Sequence, residues 1–312
     1  MSKILTVILS SLVALYIVEA LLISYAHYGE RNSLEEKIKI YKEATGKEFD
    51  TRSVFKAYNE SKKNTNGLVP WIPFRESLEI DTGPYSLSNG ISNSPTMFCN
   101  ENGYFTKYQS DQYGFNNPHN QWDQKSIEYL LIGDSFVHGM CVNEDHTLSG
   151  NLRKIVNQGV LNLGNSGSGP LAQYATLREY LPLVNAKRII WVYFEGNDLI
   201  DLNYELKNKI LNSYLKDQKY TQQLSIRQNE IDIRYRNIIE KLLAKNFDQI
   251  EGFSSFIVSV KKFFKLVSVR TFIKNLYRPI NSMSLLNHHS NYEKYGDILR
   301  LVKIYAEENN SQ

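Results

Sequence analysis

The stretch that decides the fold is Tyr129-Leu130-Leu131-Ile132-Gly133-Asp134-Ser135-Phe136-Val137-His138-Gly139. A short apolar run bounded by glycine is typical of a buried strand, and Gly133 permits a tight turn after it. Ser135 then stands where a helix begins, with its hydroxyl at the carboxyl end of the strand and unpaired backbone N–H groups beside it. This arrangement is typical of a nucleophilic serine. The alternative is that Asp134 and Ser135 only cap the helix.

Two later stretches repeat this pattern of a buried strand followed by a turn that contains glycine. They are Val160-Leu161-Asn162-Leu163-Gly164-Asn165-Ser166-Gly167-Ser168-Gly169-Pro170 and Arg188-Ile189-Ile190-Trp191-Val192-Tyr193-Phe194-Glu195-Gly196-Asn197-Asp198. Parallel strands present their carboxyl ends at one edge of a sheet, where open α/β proteins bind ligands. We therefore expect Ser135, Gly167 and Asn197 to meet at that edge. The N–H groups of Ser135 and Gly167 and the side-chain amide of Asn197 would then form an oxyanion hole.

The order of these three motifs resembles the SGNH (GDSL-type) hydrolase family, and the resemblance covers roughly residues 125–202. It implies a flavodoxin-like three-layer α/β/α fold that hydrolyses esters. It also implies that Ser135 is the nucleophile and that Gly167 and Asn197 are oxyanion donors. Gly164, three residues before Gly167, is the alternative for the glycine.

The family's general base is a histidine in an Asp-x-x-His motif near the carboxyl terminus, and this motif is absent from the sequence. None of the six histidines has an aspartate three residues before it; they are His27, His119, His138, His146, His288 and His289. Residues 291–308 predict the helix that usually leads into the family's fourth strand. The simplest expectation is therefore a chain truncated at its carboxyl end, which lacks the last two strands and the catalytic histidine with its aspartate.

Three histidines are considered as a base within the sequence itself, namely His138, His288 and His289. His138 lies three residues after Ser135 in the same predicted helix, so its side chain points along the helix and not toward the attacking hydroxyl. We expect His138 to pack against the site or to support it. His288 and His289 follow the predicted helical insert and have no acidic residue in the position that the motif requires.

Residues 4–23 are almost entirely apolar, and as a helix they would span ~30 Å, enough to cross the core of a bilayer. The run is longer than the ~7–15 apolar residues of a signal peptide, which favours a membrane anchor. A cleaved signal peptide, for which Ser24-Tyr25-Ala26 would be the site, and a buried soluble helix are the alternatives. Glu19 is expected near the membrane interface.

The side of the membrane follows from three features that favour an extracytoplasmic, periplasmic position of the catalytic domain. They are the short amino-terminal tail, the existence of membrane-anchored extracytoplasmic members in the family that the sequence resembles, and the even number of cysteines. The basic residues that follow the helix, from Arg31 to Lys42, favour the opposite side by the positive-inside rule. Cys99 and Cys141 are the only cysteines, and the sequence leaves open whether they form a disulfide or remain two buried thiols.

The predicted domain organisation has three parts: a transmembrane signal-anchor over residues 1–26, a juxtamembrane stalk and irregular region over 27–124, and the hydrolase core over 125–312. In the stalk, residues 33–44 predict a helix with Ser33 as its amino-terminal cap. The core carries a helical insert over residues 203–285. In it, residues 226–247 and 253–276 predict two long helices that cap the site.

These observations predict a membrane-anchored serine ester hydrolase whose substrate is an acyl ester, by analogy an acylated glycan or lipid. The alternatives are an O-acyltransferase acting on envelope polysaccharide and a catalytically inactive fragment without the base. No cofactor or metal is expected, because the sequence has no metal-ligand spacing and no phosphate-binding loop. The balance of 36 basic and 33 acidic residues, with no nucleic-acid motif, excludes nucleic acid from the expected partners.

Overall fold

The structure is a computed structural model, and it describes residues 2–72, 74, 90–156, 158–250, 263–276 and 283–312. Two compact units divide the chain. Met1–Phe49 and Leu242–Leu286 form the first unit, and Asp50–Lys241 and Asn287–Gln312 form the second. The predicted hydrolase motifs all lie in the second unit.

The described strands form two small sheets, both in the second unit. The strands are β1 (Val69–Pro70), β2 (Pro95–Met97), β3 (Lys107–Gln109), β4 (Ile127–Ile132), β5 (Gly159–Asn162) and β6 (Ala186–Trp191). The first sheet has the order β1-β2-β3, in which β1 pairs parallel and β3 antiparallel to β2. The second has the order β5-β4-β6, and both pairings are parallel.

The described helices include both long and single-turn elements. They are α1 (Ser2–Thr45), α2 (Val54–Ser61), α3 (Ser135–His138), α4 (Leu148–Val156), α5 (Pro170–Tyr180), α6 (Asp198–Glu205), α7 (Lys209–Lys216), α8 (Gln228–Ile250), α9 (Val267–Leu276) and α10 (Met283–Glu308). The second unit thus mixes helices with a parallel sheet, which agrees with the predicted α/β class.

The parallel sheet has the first strand of the predicted core at its centre. Leu130, Leu131 and Ile132 of β4 are fully buried, as the apolar run predicted. Leu131 pairs with Asn162 of β5, and Ile132 pairs with Trp191 of β6. Because both pairings are parallel and reach the ends of the strands, the three carboxyl ends lie at one edge of the sheet.

Helix α5 connects β5 to β6 and is buried on every side, from Pro170 to Tyr180. Pro170 occupies its first turn, where the missing N–H costs nothing. The buried Glu205 caps the same end, since its carboxylate accepts the N–H groups of Gly169 at 2.6 Å and Leu171 at 3.0 Å. A helix held in this way gives the sheet a rigid packing partner.

The outer edge of β5 is covered by side chains. The side-chain amide of Asn117 accepts the N–H of Asn162 at 2.9 Å and donates to its carbonyl at 2.8 Å, as a neighbouring strand would. Gln121 accepts the N–H of Val160 at 3.1 Å. These bonds satisfy an edge that would otherwise invite pairing with another chain.

The outer edge of β6 contacts the last residue of the sequence. Gln312 donates its N–H to the carbonyl of Lys187 at 2.9 Å and accepts the N–H of Ile189 at 2.8 Å. This is the pattern of a parallel bridge. The strand itself ends at Trp191, so the predicted apolar run continues for three residues as loop.

The predicted helix over residues 33–44 is wrong in its start, because α1 runs without interruption over Ser2–Thr45. Ser33 lies inside this helix and caps nothing. No proline interrupts the helix, and Arg31 forms an ion pair with Glu35 at 2.8 Å across one turn. By length and composition, α1 is able to cross a membrane.

The predicted insert is helical where the structure describes it. Helix α8 covers the first predicted helix, with bounds two to three residues later than the 226–247 expected. Of the second predicted helix, residues 253–262 lie outside the described part of the chain. Its described portion starts at residue 263 and is interrupted by a turn at Lys265 and Leu266, so the prediction of one continuous helix is wrong there; α9 begins after this turn at Val267.

Candidate active site

Ser135 lies directly after the turn that ends β4. A Cβ at Gly133 would stand 2.9 Å from the carbonyl oxygen of Val192, so only glycine allows this close approach of the two chain segments. Asp134 is buried and caps α3, because its carboxylate accepts the N–H of Phe136 at 3.1 Å. Ser135 is half-buried, and its hydroxyl donates to Asp134 Oδ2 at 3.3 Å. Thus Asp134 caps the helix, whereas the hydroxyl of Ser135 does not.

The turn after β5 folds over the turn after β4 and leaves one backbone donor unused. Three of its N–H groups are paired: Asn165 to the Gly133 carbonyl, Ser166 to His138 Nδ1 and Ser168 to the Asn165 carbonyl, each at 3.1 Å. Within the described residues the N–H of Gly167 donates to no acceptor. Gly167 has φ of +83°, a left-handed conformation that glycine adopts without strain. The geometry of this turn therefore presents the Gly167 N–H as an available donor.

Gly164, the alternative glycine, has a different role. Its N–H donates to Asn162 Oδ1 at 2.8 Å. A Cβ at Gly164 would collide with the backbone nitrogen of His138. Glycine is needed there because α3 packs directly against the chain, and its N–H is already bonded. Of the two glycines, only Gly167 has an N–H that a ligand could use.

Asn197 precedes α6 and occupies its amino-terminal cap position. An asparagine at this position commonly accepts an N–H of the first turn, but the side chain of Asn197 makes no such bond. Its Oδ1 is buried and has no hydrogen-bond partner among the described residues. The amide is therefore not used by the helix that it begins.

The three turns are held together at the carboxyl edge of the sheet. The ring of Phe136, next to Ser135, contacts the ring of Phe194 in the turn before Asn197 with 4.8 Å between centroids. Ser135, Gly167 and Asn197 are all half-buried. The N–H of Ser135, like that of Gly167, donates to no acceptor in the described part of the chain. The three predicted residues thus lie in the turns that follow β4, β5 and β6, and among the described residues the N–H groups of Ser135 and Gly167 have no acceptor.

Asp198, the first residue of α6, is buried like Asp134, and the sequence analysis did not single it out. Asp198 accepts the N–H of Phe194 at 2.7 Å with Oδ2, whereas its buried Oδ1 has no partner among the described groups. Burial, and to a smaller degree the nearby charge of Asp134, raises the pKa of Asp198 to about 7. The only sequence signal was the aspartate of the Gly-Asn-Asp motif itself.

His138 lies on the protein side of α3, in a buried aromatic cluster. Its Nδ1 accepts the N–H of Ser166 at 3.1 Å, so the ring proton resides on Nε2, which lies 3.2 Å from the hydroxyl of Tyr108. The rings of Phe98 and Trp71 contact the imidazole with centroid distances of 4.6 and 5.9 Å. Burial lowers the pKa of His138 to about 3. His138 is a neutral supporting residue and is not directed at Ser135.

The other histidines give Ser135 no base in the described part of the chain. His119 and His146 are exposed, and His146 lies 3.4 Å from the carboxylate of its neighbour Asp145. The side chains of His27, His288 and His289 lie outside the described residues. No described imidazole forms a hydrogen bond with the hydroxyl of Ser135.

Cys99 and Cys141 form a disulfide, with 4.9 Å between their Cα atoms. Cys141 lies three residues beyond the end of α3, and its carbonyl accepts the side-chain amide of Asn102 at 3.0 Å. The bridge joins the end of this helix to the chain segment that follows β2. It thereby closes a loop that contains β3 and β4.

Comparison with known proteins gives no match to a protein-family model, to a curated protein or to a solved structure. Within the described residues there is also no cluster of three or more His, Cys, Asp or Glu side chains that could hold a metal ion. A function for this chain has to rest on the chemistry of the site.

Proposed function

We propose that this edge of the sheet is the active site of an SGNH-type serine ester hydrolase. Ser135 is the nucleophile, and the N–H groups of Ser135 and Gly167 with the amide of Asn197 are the oxyanion donors. The observation that carries the proposal is that Ser135 and Gly167, in the turns after β4 and β5, have backbone N–H groups without an acceptor among the described residues, while the side chain of Asn197, in the turn after β6, does not cap its helix. Polar groups in folded proteins are normally paired, so donors left unpaired in neighbouring turns suit a ligand oxygen.

In this mechanism Ser135 Oγ attacks the carbonyl carbon of an acyl ester. The carbonyl oxygen gains the negative charge, and the three donors stabilise it; each such donor typically contributes ~100- to 1,000-fold to the rate. A general base removes the proton from Oγ and then gives it to the leaving alcohol. Water releases the acyl group from Ser135 in a second round of the same steps.

The order of the strands supports the same proposal. Strand β4 lies between β5 and β6, so the chain order in the sheet is second, first, third. A flavodoxin-like sheet begins in this order. We extend the proposal to the three-layer α/β/α core that the sequence motifs imply.

The base is the part of the mechanism that the described side chains do not supply. His288 and His289 are the candidates in this chain, and both lie in α10. The same helix contacts the candidate site, because Asn291 donates to the carbonyl of Leu199 at 3.2 Å, two residues after Asn197. Tyr295 of α10 also stacks on Tyr193, which follows β6, with 4.8 Å between ring centroids.

A second candidate function is a site that binds an acyl ester without cleaving it. The observation that favours it is the hydrogen bond from Ser135 Oγ to Asp134, where an active hydrolase would have a bond to a base. The oxyanion donors would still bind a carbonyl or carboxylate oxygen. Loss of the base would then leave recognition without reaction.

We also propose that α1 anchors the protein with the site on the extracytoplasmic side. The disulfide between Cys99 and Cys141 supports this side, because disulfides persist in oxidising compartments and are rare in the cytosol. Alkaline phosphatase fused after residue 312 would be active in cells on this proposal. An inactive phosphatase fusion paired with a fluorescent cytosolic reporter fusion would contradict it.

The test of the hydrolase is labelling of the full chain in membranes with a fluorophosphonate probe. Ser135→Ala should abolish labelling. The matched control is Ser126→Ala, which removes another half-buried serine hydroxyl beside β4 but at the opposite end of the strand. Labelling that persists in Ser135→Ala contradicts the assignment of the nucleophile.

Variants of the candidate bases complete this experiment. If wild type is labelled, His288→Ala and His289→Ala identify the base by the loss of labelling in one of them. If wild type is not labelled but a carboxylate ligand shifts the amide resonance of Gly167, the binding function is supported.

A stimulation of acyl release by added polysaccharide would distinguish an acyltransferase from a hydrolase.

A further inference from the structure

Glu19 lies inside the apolar run of α1 and is fully buried. Its carboxylate accepts the backbone N–H of Ser268 at 2.9 Å and that of Val269 at 2.7 Å. These two residues form the first turn of α9, in which N–H groups have no partner within the helix. Glu19 thus caps a second helix from within the predicted membrane anchor.

The segment just before α9 also packs along α1. The hydroxyl of Tyr16 donates to the carbonyl of Phe264 at 3.3 Å. Its ring contacts those of Phe263 and Phe264, with centroid distances of 5.5 and 6.0 Å. The anchor helix therefore holds this segment at two successive turns, first at Tyr16 and then at Glu19.

If α1 crosses a membrane, the position of Glu19 along the helix gives the depth at which α9 begins. Glu19 is four residues before the end of the apolar run at residue 23, so it lies ~6 Å inside that end at 1.5 Å per residue. Amphipathic helices that lie in a membrane interface bury their apolar face by ~5–10 Å. Backbone N–H groups at that depth need a protein partner, which Glu19 provides.

Helix α9 has an apolar face that extends beyond its contact with α1. Val269 is buried, while Phe272 and Ile273, three and four residues later, are 48% and 44% exposed. Arg270 and Lys274 are exposed on the other side of the helix. About half of the surface of Phe272 and of Ile273 is thus left open by the described residues, and this arrangement is typical of helices that lie on membranes.

The charge of the segment favours an anionic lipid surface as the occupant. Residues 263–276 contain three basic side chains and no acidic one. Each basic side chain near an anionic leaflet contributes about 1 kcal/mol of attraction. If α1 crosses the bilayer, the lipid headgroups already lie beside α9, so α9 needs no separate binding step to reach them.

We propose that α9 lies in the membrane interface beside α1, with Phe272 and Ile273 among the acyl chains and Arg270 and Lys274 at anionic headgroups. The hydrogen bonds of Glu19 to Ser268 and Val269 fix the start of α9 to α1. This inference rests on α1 as a membrane span. It is independent of the proposed hydrolase, so either can fail alone.

The test places a fluorophore on each side of α9 in the full chain. No described cysteine is free, so Phe272→Cys and the matched control Thr271→Cys each provide one reactive thiol. Both are labelled with nitrobenzoxadiazole in nanodiscs that contain phosphatidylglycerol. Acyl-chain spin labels should quench the probe at position 272 about threefold more strongly than at 271. Iodide in the buffer should show the opposite preference.

Two outcomes overturn the proposal. Equal quenching by iodide at both positions would mean that α9 lies in water. Protection of position 272 from both quenchers would mean that protein covers it.

Two further variants test the charge and the hydrogen bonds of Glu19. Arg270→Gln with Lys274→Gln should weaken the dependence of quenching on phosphatidylglycerol by about fivefold per charge, whereas Lys303→Gln in α10 should not. Glu19→Ala should accelerate hydrogen exchange of the Ser268 and Val269 N–H groups, and Glu19→Gln should restore part of the protection because its one amide oxygen can still accept. Unchanged lipid dependence, or unchanged exchange in Glu19→Ala, contradicts the corresponding part.

Discussion

The two ends of the single-turn helix α3 differ in how their polar groups are used. At its start, the N–H of Ser135, like that of Gly167 in the turn after β5, has no acceptor in the described part of the chain. At its end, both ring nitrogens of His138 are bonded and the imidazole is buried. A histidine only three residues from the candidate nucleophile is therefore part of the framework. Pairing of polar groups, more than proximity in sequence, separates the two roles.

The two ends are nevertheless coupled through one turn. Ser166 donates its N–H, and its hydroxyl at 3.0 Å, to Nδ1 of His138. These two bonds fix the residue next to Gly167, whose N–H has no acceptor among the described residues. His138, at the end of α3, thus helps to hold the turn that carries the Gly167 N–H. Variants in each region should separate stability from reactivity.

The largest effect on stability is expected for the disulfide beyond the end of α3. Cys99→Ser with Cys141→Ser removes a link between residues 42 apart, which should cost about 4 kcal/mol of unfolding free energy through loop-closure entropy. Thermal unfolding of the full chain in detergent measures it. Reductant should lower the midpoint of wild type but not of the double variant, and an insensitive wild type would contradict the expectation.

His138→Ala should cost about 3 kcal/mol, because it leaves a cavity and unpaired partners. His138→Gln should cost less, since its amide can still accept from Ser166. Burial lowers the pKa of His138 from 6.5 to about 3, so the unfolded chain binds a proton in this window and the folded chain does not. Stability should therefore fall as the pH drops from about 6.5 toward 3. A wild type and a His138→Gln variant with the same acid dependence would show that His138 is not the cause.

Asn197→Ala should leave stability within about 0.5 kcal/mol, since its side chain bonds no described group. It should slow reaction with a fluorophosphonate or an ester by about 100-fold, or ~2.7 kcal/mol. Asn208 is the matched control, because its side chain does cap a helix, accepting the N–H of Ile210 at 2.9 Å. Asn208→Ala should destabilise by about 1 kcal/mol without a change in rate. The reverse result would remove Asn197 from the oxyanion hole.

The smallest effect is expected for the buried Asp198. Its pKa of about 7 lies above the value near 4 of an unfolded chain, so the folded state binds the additional proton between these values. Stability should therefore decrease as the pH rises from about 4 to 7. Asp198→Asn should remove about 1 kcal/mol of this dependence, because relaxation and water reduce the penalty of burial. Thermal unfolding of wild type and of Asp198→Asn at pH 5 and pH 8 measures this dependence. If the change in stability between the two pH values is the same in both proteins, Asp198 is not its cause.

The amino-acid sequence alone predicted the features that depend on local patterns. Apolar runs followed by glycine turns predicted β4, β5 and β6, because burial and turn chemistry act over a few residues. Parallel connection predicted that the carboxyl ends of these three strands share one edge, which the pairing confirms. That Ser135, Gly167 and Asn197 act together at this edge stays a prediction. The apolar run of α1 was recognisable for the same reason.

The tertiary structure decided what depends on partners far apart in sequence. Ser166 and Tyr108 bond the two ring nitrogens of the buried His138. Packing against α3 explains why position 164 requires glycine, and Asn162 accepts its N–H, whereas the N–H of Gly167 has no acceptor among the described residues. The bond of Glu19 to residues almost 250 positions later has no local signal. Periodicity reveals which face of an element is buried, but not which group receives each hydrogen bond. That choice is made only when distant segments pack, since every buried donor and acceptor then requires a partner.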